Sequence, residues 1–238
     1  MDKIEQSGFR KIVFDIETCG FPFESLAESQ QEYLLRYAEK ESDEELKIQK
    51  KDDAIRYLSL YPFTAKVITI GIYDVLKEKS YVYYENEKDE GEWFNEEKNI
   101  HYKGLSEKEM LKSFWKIIEV TDQVITFNGR HFDAPFLMIR SAINKIKPSR
   151  NLIGKRFDSK IHIDLLEQFT YYGLTRKFNL DFYCHAFGIK SPKSKEISGM
   201  EVKNYYEAGK VKEIAVYCGD DINATYQLYK IWEEYLQF

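Results

Sequence analysis

The sequence predicts an α/β protein with a mixed sheet, antiparallel at one side and parallel at the other. Three short apolar segments come first in the chain, and the link between the second and the third is short enough for a hairpin. Strand-like and helical segments then alternate, and the chain ends in helices. A meander followed by alternating elements is typical of a sheet that contains both kinds of pairing.

Five segments have the length and composition of buried strands. The first, FRKIVFDI, is short and rich in β-branched residues, and Gly20 and Pro22 end it. The last, IHIDLL, starts as a strand and then turns into a helix. The predicted strands lie at residues 9–16, 66–74, 79–85, 123–127 and from Ile161 onward.

Helical patterning marks four further segments. Ser106 and Glu109 have the spacing of a capping box, and the apolar residues that follow them share one face of a helix. Pro135 suits the first turn of a helix, where its missing N–H is no loss. The predicted helices lie at residues 105–119, 134–145, 179–187 and 210–236.

Residues 24–60 differ from this pattern because they are rich in charge, with helical spacing around Leu34, Tyr37 and Ile55. They predict a helical insertion between the first two strands. We expect a solvated helical pair packed on the sheet, and a flap that covers substrate is the alternative. No repeat and no linker divides the chain, so we predict a single domain over residues 1–238.

Composition limits the possible functions. The 238 residues are 43% hydrophobic and carry a net charge of -5, so charge alone would not hold duplex phosphate. Any binding of phosphate must therefore depend on a local group of basic residues or on bound metal ions. Three widely spaced cysteines indicate buried thiols rather than a disulfide framework. No apolar run approaches the ~20 residues that span a bilayer, and we expect a soluble, cytoplasmic protein with no membrane partner.

The stretch FDIETCG places two acids at the end of the first strand. Side chains two apart on a strand lie on the same face, so Asp15 and Glu17 project together. Two like charges at that distance repel unless a cation lies between them. A hard divalent ion with oxygen ligands would remove the repulsion, and a strand edge facing water is the alternative explanation.

Two more acids occur at element boundaries. Asp133 follows an Asn-Gly turn and precedes a predicted helix, where an N-cap would also explain it. Tyr217 and Asp221 are four apart and share a face of the last helix. Gly219 between them costs a helix ~1 kcal/mol against Ala, which suggests a close approach there. Asp220 is a rival acid about one helical step away.

In this order the three stretches resemble the motifs of the DEDD exonuclease superfamily. The motifs are Asp-x-Glu, Asn-x-x-x-(Phe/Tyr)-Asp and Tyr-x-x-x-Asp, and the last is typical of the tyrosine (DEDDy) branch. Val216 occupies the position where the histidine branch needs His. Over residues 9–236 the chain is similar to stand-alone predicted 3'–5' exonucleases related to the exonuclease domain of family B DNA polymerases. The matching positions are Asp15, Glu17, Asn128, Phe132, Asp133, Tyr217 and Asp221.

The resemblance implies a ribonuclease H-like fold, with a mixed five-stranded sheet and helices on both faces. It also implies a 3'–5' exonuclease that hydrolyses single-stranded DNA and releases nucleoside 5'-monophosphates. An exoribonuclease is the first alternative, and a catalytically inert nucleic-acid-binding module is the second. Nucleic acid with single-stranded 3' ends is the implied partner, with DNA favoured over RNA.

In this family two divalent ions, Mg²⁺ or Mn²⁺, would lie about 3.5–4 Å apart. Asp15 would bridge both ions, Glu17 and Asp221 would complete the site of the ion that activates water, and Asp133 would serve the second. Tyr217 would orient that water, since a phenol with a pKa near ~10 is a poor general base.

Five residues are candidates for binding the nucleic acid. Thr18 would meet the sugar at the 3' end, and Asn128 and Phe132 would line the pocket for the terminal nucleotides, although Phe132 could equally pack in the core. Lys155 and Arg156 belong to the basic segment 145–160, which we expect to follow the backbone. A solvated basic loop is the alternative for that segment.

Overall fold

One mixed sheet carries the fold, and the computed structural model describes residues 8–86, 91–155, 157–191, 197, 199 and 201–237. Within these residues the sheet has seven strands. The strands are β1 (Lys11–Gly20), β2 (Ala65–Asp74), β3 (Lys79–Glu85), β4 (Glu92–Asn95), β5 (Ile100–Leu105), β6 (Gln123–Thr126) and β7 (His162–Asp164). Their order across the sheet is β4-β5-β3-β2-β1-β6-β7.

The mixed pairing predicted from the sequence is confirmed. Strand β1 pairs antiparallel with β2 and parallel with β6, and β2 and β3 form the expected antiparallel hairpin. The predicted count of five strands is wrong, because β4 and β5 extend the sheet at one edge. Strand β4 has only four residues, and the charges of EWFN and IHYKGL hide the strand pattern. The ring of Trp93 stacks on that of Tyr102 at 3.6 Å and joins the two strands.

Helices connect the strands much as predicted. Helix α3 begins with the expected capping box, in which the Ser106 N–H donates to a Glu109 carboxylate oxygen at 2.9 Å. The α-helices are α1 (Glu28–Leu35), α2 (Glu44–Arg56), α3 (Glu107–Glu119), α4 (Asp133–Ile143), α5 (Leu165–Phe169), α6 (Leu180–Ala186), α7 (Val202–Glu207) and α8 (Val211–Tyr235). Two 3-10 helices span Phe23–Ser25 and Tyr57–Leu60. None of the described helices is long and apolar enough to cross a membrane.

Alternation along β1 decides which residues meet which helix layer. Ile12, Phe14 and Ile16 belong to the core shared with α3 and α4. Val13 belongs to the opposite core, which α8 covers. Helices therefore lie on both faces of the sheet, as predicted. Asp15 and Glu17 follow Val13 at two-residue steps and so face the α8 side.

Two glycines let α8 lie close to the sheet. Gly71 on β2 pairs with Asp15, and a Cβ at Gly71 would lie 2.8 Å from the Cys218 Sγ and 2.9 Å from the Ile222 Cγ2. A Cβ at Gly219 of α8 would lie 3.0 Å from the Ile100 Cδ1. The close approach expected at Gly219 is therefore its packing on the sheet. All three cysteines are buried free thiols, as the sequence predicts.

The insertion between β1 and β2 is helical, as predicted, and α1 and α2 bury no residue completely. It is attached to the sheet through the 3-10 helix Tyr57–Leu60, where Leu58 is 1% exposed. The hydroxyl of Thr18 on β1 donates to the Ser59 carbonyl at 2.7 Å. A Cβ at Gly20 would lie 2.9 Å from the Leu58 Cβ, so glycine is needed for this contact.

Gly71→Ala should destabilise the fold by about 1–3 kcal/mol, because the new methyl group overlaps α8. Chemical denaturation of the variant beside Gly8→Ala provides the measurement. Gly8 is a matched control because its added Cβ would meet only Leu76 at 3.5 Å, an ordinary contact. Equal stability of the two variants would show that α8 does not depend on the gap at Gly71.

Candidate active site

The first two acids reach the α8 face at the end of the regular part of β1. The β1–β2 register shifts between Glu17 and Thr18, which is a β-bulge. The Glu17 N–H donates to the Thr69 hydroxyl at 3.2 Å beside this bulge. Bulges bend a strand and re-aim its side chains; here Ile68 of β2 is the extra residue, and pairing resumes at Thr18 and Val67.

Helix α8 brings the third acid to the same place. One oxygen from each of Asp15, Glu17 and Asp221 lies within 4.8 Å of the others. The rival acid Asp220 points elsewhere, because its carboxylate binds the Lys98 ammonium at 2.6 Å. Helix geometry thus separates the two neighbouring acids into one that faces the cluster and one that forms an ion pair.

Asp133 joins the cluster from the other side of β1. Pairing of β1 with β6 ends at Val13, so the Ile16 N–H has no partner on β6. That N–H donates instead to the Asp133 Oδ1 at 3.0 Å. The alternative of an N-cap is wrong, because α4 starts at Asp133 itself and Phe132 takes the cap position without a side-chain bond.

Three of the carboxylates, those of Asp15, Glu17 and Asp133, have raised pKa values. Burial is the largest cause for Asp15, whose pKa rises well above its usual value, and the charges of Asp133, Asp221 and Glu17 add to it. The pKa of Glu17 rises for the same reasons. Burial raises the pKa of Asp133 to about 7, against the lowering effect of the bond from Ile16. Oxygen donors under such repulsion suit hard divalent cations.

Tyr217 and Cys218 lie next to the acids and keep their protons. Burial, followed by the charges of Asp221, Glu17 and Asp15, raises the pKa of Tyr217 far above its usual value. Its hydroxyl therefore acts as a hydrogen-bond donor rather than a base. Burial and the charge of Asp15 also raise the pKa of the Cys218 thiol, which lies 3.8 Å from the Asp15 carbonyl oxygen.

The cluster lies in a cleft of about 790 Å³. One wall is the end of the insertion, and others are the start of α6 and helix α7. The residues lining the cleft are Asp15, Glu17, Thr18, Asp52, Ile55, Arg56, Tyr57, Ser59, Leu60, Phe127, Phe132, Asn179, Leu180, Asp181, Gly199, Glu201, Lys203, Asn204, Glu207, Tyr217 and Asp221.

Comparison with known proteins gives this arrangement a family. Residues 86–235 match the model of a family described as predicted 3'–5' exonucleases related to the exonuclease domain of family B DNA polymerase (PolB). The chain belongs to this family. The match includes the second and third motifs and begins after the insertion. Membership in this PolB-related family classes the chain with the 3'–5' exonucleases, hydrolases that act on nucleic acid.

Relatives of this chain include archaeal DNA polymerases. A DNA polymerase of Desulfurococcus sp. (strain Tok) is 33% identical over 147 residues, which cover 52% of this chain and 18% of the polymerase. One from Pyrococcus glycovorans is 32% identical over 145 residues with the same coverage. The chain thus spans about a fifth of these relatives. The family B DNA polymerase structure from Pyrobaculum calidifontis shares the fold, with a TM-score of 0.58 and 16% identity over 95% of this chain and 25% of that one.

The predicted nucleic-acid contacts have different surroundings, and their roles stay predictions. Thr18 and Phe132 line the cleft. The Phe132 ring also packs against the Phe136 ring, with 5.5 Å between their centroids, so Phe132 lies both at the cleft and against the core. Asn128 lies in a left-handed turn with φ 64°. Lys155 is exposed on the basic loop, and Arg156 lies outside the described residues.

Asp164 and Arg130 also shape the site. The position of Asp164 near the strand-to-helix turn of HIDLL predicts a helix cap or a group that supports the site, whereas Arg130 was not predicted. Asp164 caps α5, and it also accepts the Asn128 N–H at 3.0 Å and the Arg130 N–H at 2.9 Å. The buried Arg130 guanidinium donates to carbonyls of the loop after α4, among them those of Ile153 at 2.8 Å and Lys155 at 3.1 Å. An Arg directly after the Asn-Gly turn was the available signal in the sequence.

His162 of β7 has a structural role. Its Nδ1 donates to the Leu152 carbonyl at 2.8 Å, so its Nε2 is free to accept the Thr126 hydroxyl at 2.7 Å. Burial lowers the pKa of His162 to about 4, although the neighbouring Asp164 opposes this shift.

The stability that depends on neutral His162 should be lost as pH falls from about 6.5 towards 4. The unfolded chain binds a proton in this range and the folded chain does not, so the difference amounts to about 2 kcal/mol between pH 7 and pH 5. Urea unfolding at both pH values should show a smaller pH effect for His162→Gln than for wild type. The exposed His131→Gln should behave as wild type, and a parallel loss in all three proteins would contradict this role.

Divalent cations should raise the melting temperature through the carboxylate cluster. An ion present at 100 times its Kd stabilises by about 2.7 kcal/mol. Thermal melting with and without Mn²⁺ should give a clear increase for wild type and little for Asp15→Asn or Asp221→Asn. Both variants should also be at least as stable as wild type without metal, because repulsion is relieved.

Asp220→Asn is the matched control for the metal titration. It removes the neighbouring carboxylate that pairs with Lys98, so the Mn²⁺ effect should persist. A Mn²⁺ effect retained by Asp15→Asn would show that the ion binds elsewhere.

Proposed function

We propose that the protein is a metal-dependent 3'–5' exonuclease that hydrolyses terminal phosphodiesters of single-stranded DNA and releases nucleoside 5'-monophosphates. The observation that carries this proposal is the convergence of Asp15, Glu17 and Asp221 within 4.8 Å in an open cleft. Asp133 accepts the N–H of Ile16, the residue after Asp15, and its charge contributes to the raised pKa of Asp15. Membership in the PolB-related exonuclease family supports the direction of hydrolysis.

The positions of the acids support a division of roles. Asp15 is affected by the charges of all three other carboxylates, which suits a ligand shared by two ions, Mg²⁺ or Mn²⁺. Glu17 and Asp221 would complete one ion site, and Asp133 would serve the other. When bound, such ions lower the pKa of a water molecule and neutralise the leaving 3'-oxygen.

Groups of the chain itself would orient the reactants. The Tyr217 hydroxyl keeps its proton beside Asp221 and can hold a water molecule by a hydrogen bond. Phe132 presents part of its ring to the cleft while Phe136 fixes the rest, so it offers a rigid surface to a terminal nucleotide. Thr18 and Asn128 would complete this pocket, and Lys155 and Arg156 would follow the nucleic-acid backbone.

One catalytic domain is the organisation we propose for residues 1–238. A single sheet runs through the described residues, and its acids come from both ends of the sequence. The insertion then belongs to the same unit, since it is anchored on β1 by the bond from Thr18 to Ser59.

Wild-type protein should shorten a 5'-labelled single-stranded DNA oligonucleotide into a ladder from its 3' end in Mg²⁺ or Mn²⁺. Asp15→Asn and Asp221→Asn should lose at least 100-fold in rate, because each removes a metal ligand, whereas Asp220→Asn should keep the activity. Gel analysis of timed samples provides the measurement, with a 3'-labelled strand to identify the released mononucleotide.

The same assay decides between the alternatives. Faster shortening of an RNA of equal sequence would make the protein an exoribonuclease. Tight binding without cleavage in either metal would make it an inert binding module. Equal cleavage by wild type and Asp15→Asn would refute the assignment of the site.

A further inference from the structure

The cleft around the carboxylates has few positive charges to meet a phosphate backbone. Among the described residues that line it, only Arg56 and Lys203 are basic. Lys203 on α7 lies 3.8 Å from the Glu207 carboxylate, one helical turn away. Arg56 is at the opposite wall, at the end of α2 in the insertion.

Arg56 differs from the other basic residues of α2. Lys47, Lys50 and Lys51 form ion pairs with Glu39 and Glu41 of the preceding loop, at 3.0, 2.5 and 2.6 Å. In the part of the chain that the structure describes, the Arg56 guanidinium makes neither a hydrogen bond nor an ion pair, and the residue is exposed and lines the cleft. A guanidinium without a partner in an acidic cleft is available to an anionic ligand.

Apolar side chains continue the wall directly after Arg56. Tyr57 is 40% exposed and Leu60 is 47% exposed, and both line the cleft. Within the described residues the Tyr57 ring stacks on no other aromatic ring. An arginine beside an exposed tyrosine offers one group for a phosphate and one for the face of a base.

The wall is held in a fixed position relative to the acids. Leu58 is buried against Gly20, and its carbonyl accepts the Thr64 hydroxyl at 2.7 Å. The next carbonyl, that of Ser59, accepts the Thr18 hydroxyl, and Thr18 directly follows Glu17. Arg56 at the end of α2 and Tyr57 at the start of the 3-10 helix therefore lie next to an anchored segment rather than on a free loop.

We propose that Arg56 and Tyr57 form a nucleotide-binding wall for the single-stranded 3' end, with Arg56 on a phosphate and the Tyr57 ring on an unpaired base. This inference rests on the proposed exonuclease function and adds residues from outside the 86–235 match, so the wall is contributed by the insertion. Stacking on Tyr57 requires a base free of its partner strand. The wall consequently favours single strands over a blunt duplex.

Binding measured by fluorescence anisotropy tests the wall without turnover. The probe is a single-stranded DNA oligonucleotide with phosphorothioate linkages at its 3' end, which resists cleavage, in the presence of Mn²⁺. Tyr57→Ala should weaken binding about tenfold, as loss of one stacked base does. Arg56→Ala should weaken binding and reduce the slope of log Kd against log salt by ~0.7, the value for one phosphate on a single strand.

Matched controls come from α1 of the same insertion. The Arg36 guanidinium lies 3.5 Å from the centroid of the exposed Tyr33 ring, away from the cleft. Arg36→Ala and Tyr33→Ala should bind as wild type. All four variants should keep the wild-type melting temperature and its increase with Mn²⁺, which would show that the fold and the metal site are intact.

The outcomes distinguish a failure of the nucleotide-binding wall from a failure of the exonuclease proposal. Wild-type affinity and salt slope in both Arg56→Ala and Tyr57→Ala would overturn the wall, even if wild type cleaves DNA from the 3' end. An equal loss in the α1 controls would also overturn it. If wild type fails to cleave any oligonucleotide while Arg56→Ala and Tyr57→Ala alone lose affinity, the exonuclease proposal fails and the wall stands as a single-strand binding site.

Discussion

The close contact of α8 with β1 and β2 is the constraint on which the site depends. Asp15 and Glu17 are fixed by a strand, whereas Tyr217 and Asp221 are fixed by a helix that crosses the same face. The gap at Gly71, directly opposite Asp15, lets Cys218 and Ile222 settle onto the sheet. Without that gap α8 would lie farther from the sheet, and Asp221 would lie farther from Asp15 and Glu17.

This contact brings negative charges together, which lowers the stability of the folded state. Each of the acids is partly or fully buried. Burial raises the pKa values of Asp15 and Glu17, and the charges of the neighbouring carboxylates raise them further. The hydrogen bond from the Ile16 N–H partly offsets the effect of burial on Asp133. This N–H is available because the pairing of β1 with β6 ends at Val13. A bound cation would remove most of the remaining repulsion, so ligand binding and stability are coupled here.

Much of the fold could be predicted from patterns within one element. The β2–β3 hairpin and the capping box at Ser106 are confirmed because their signals lie within a few residues. Strands β4 and β5 could not be found that way, since their charged residues break the alternation. The three motif acids that share one small volume were found by their order and resemblance, and β1 and α8 bring them together.

The remaining features depend on contacts between distant parts of the chain. The bond of Asp133 to Ile16 depends on where pairing between β1 and β6 stops, which no local pattern reports. Nor does a pattern show which basic residue of α2 faces the cleft. The insertion helices bury no residue completely, so their charged sequence has no apolar stripe to orient Arg56.

The distribution of the acids along the chain has a consequence for biosynthesis. Asp15 and Glu17 are in β1, whereas Asp221 is close to the middle of α8. Domains dominated by such distant contacts fold slowly, and chains emerge from the ribosome with the N-terminus first. Asp15 and Glu17 are therefore synthesised well before Asp221 and have no third carboxylate beside them until α8 has been made. A nascent chain carries only part of the carboxylate cluster, and the cluster is complete only when α8 packs on the sheet.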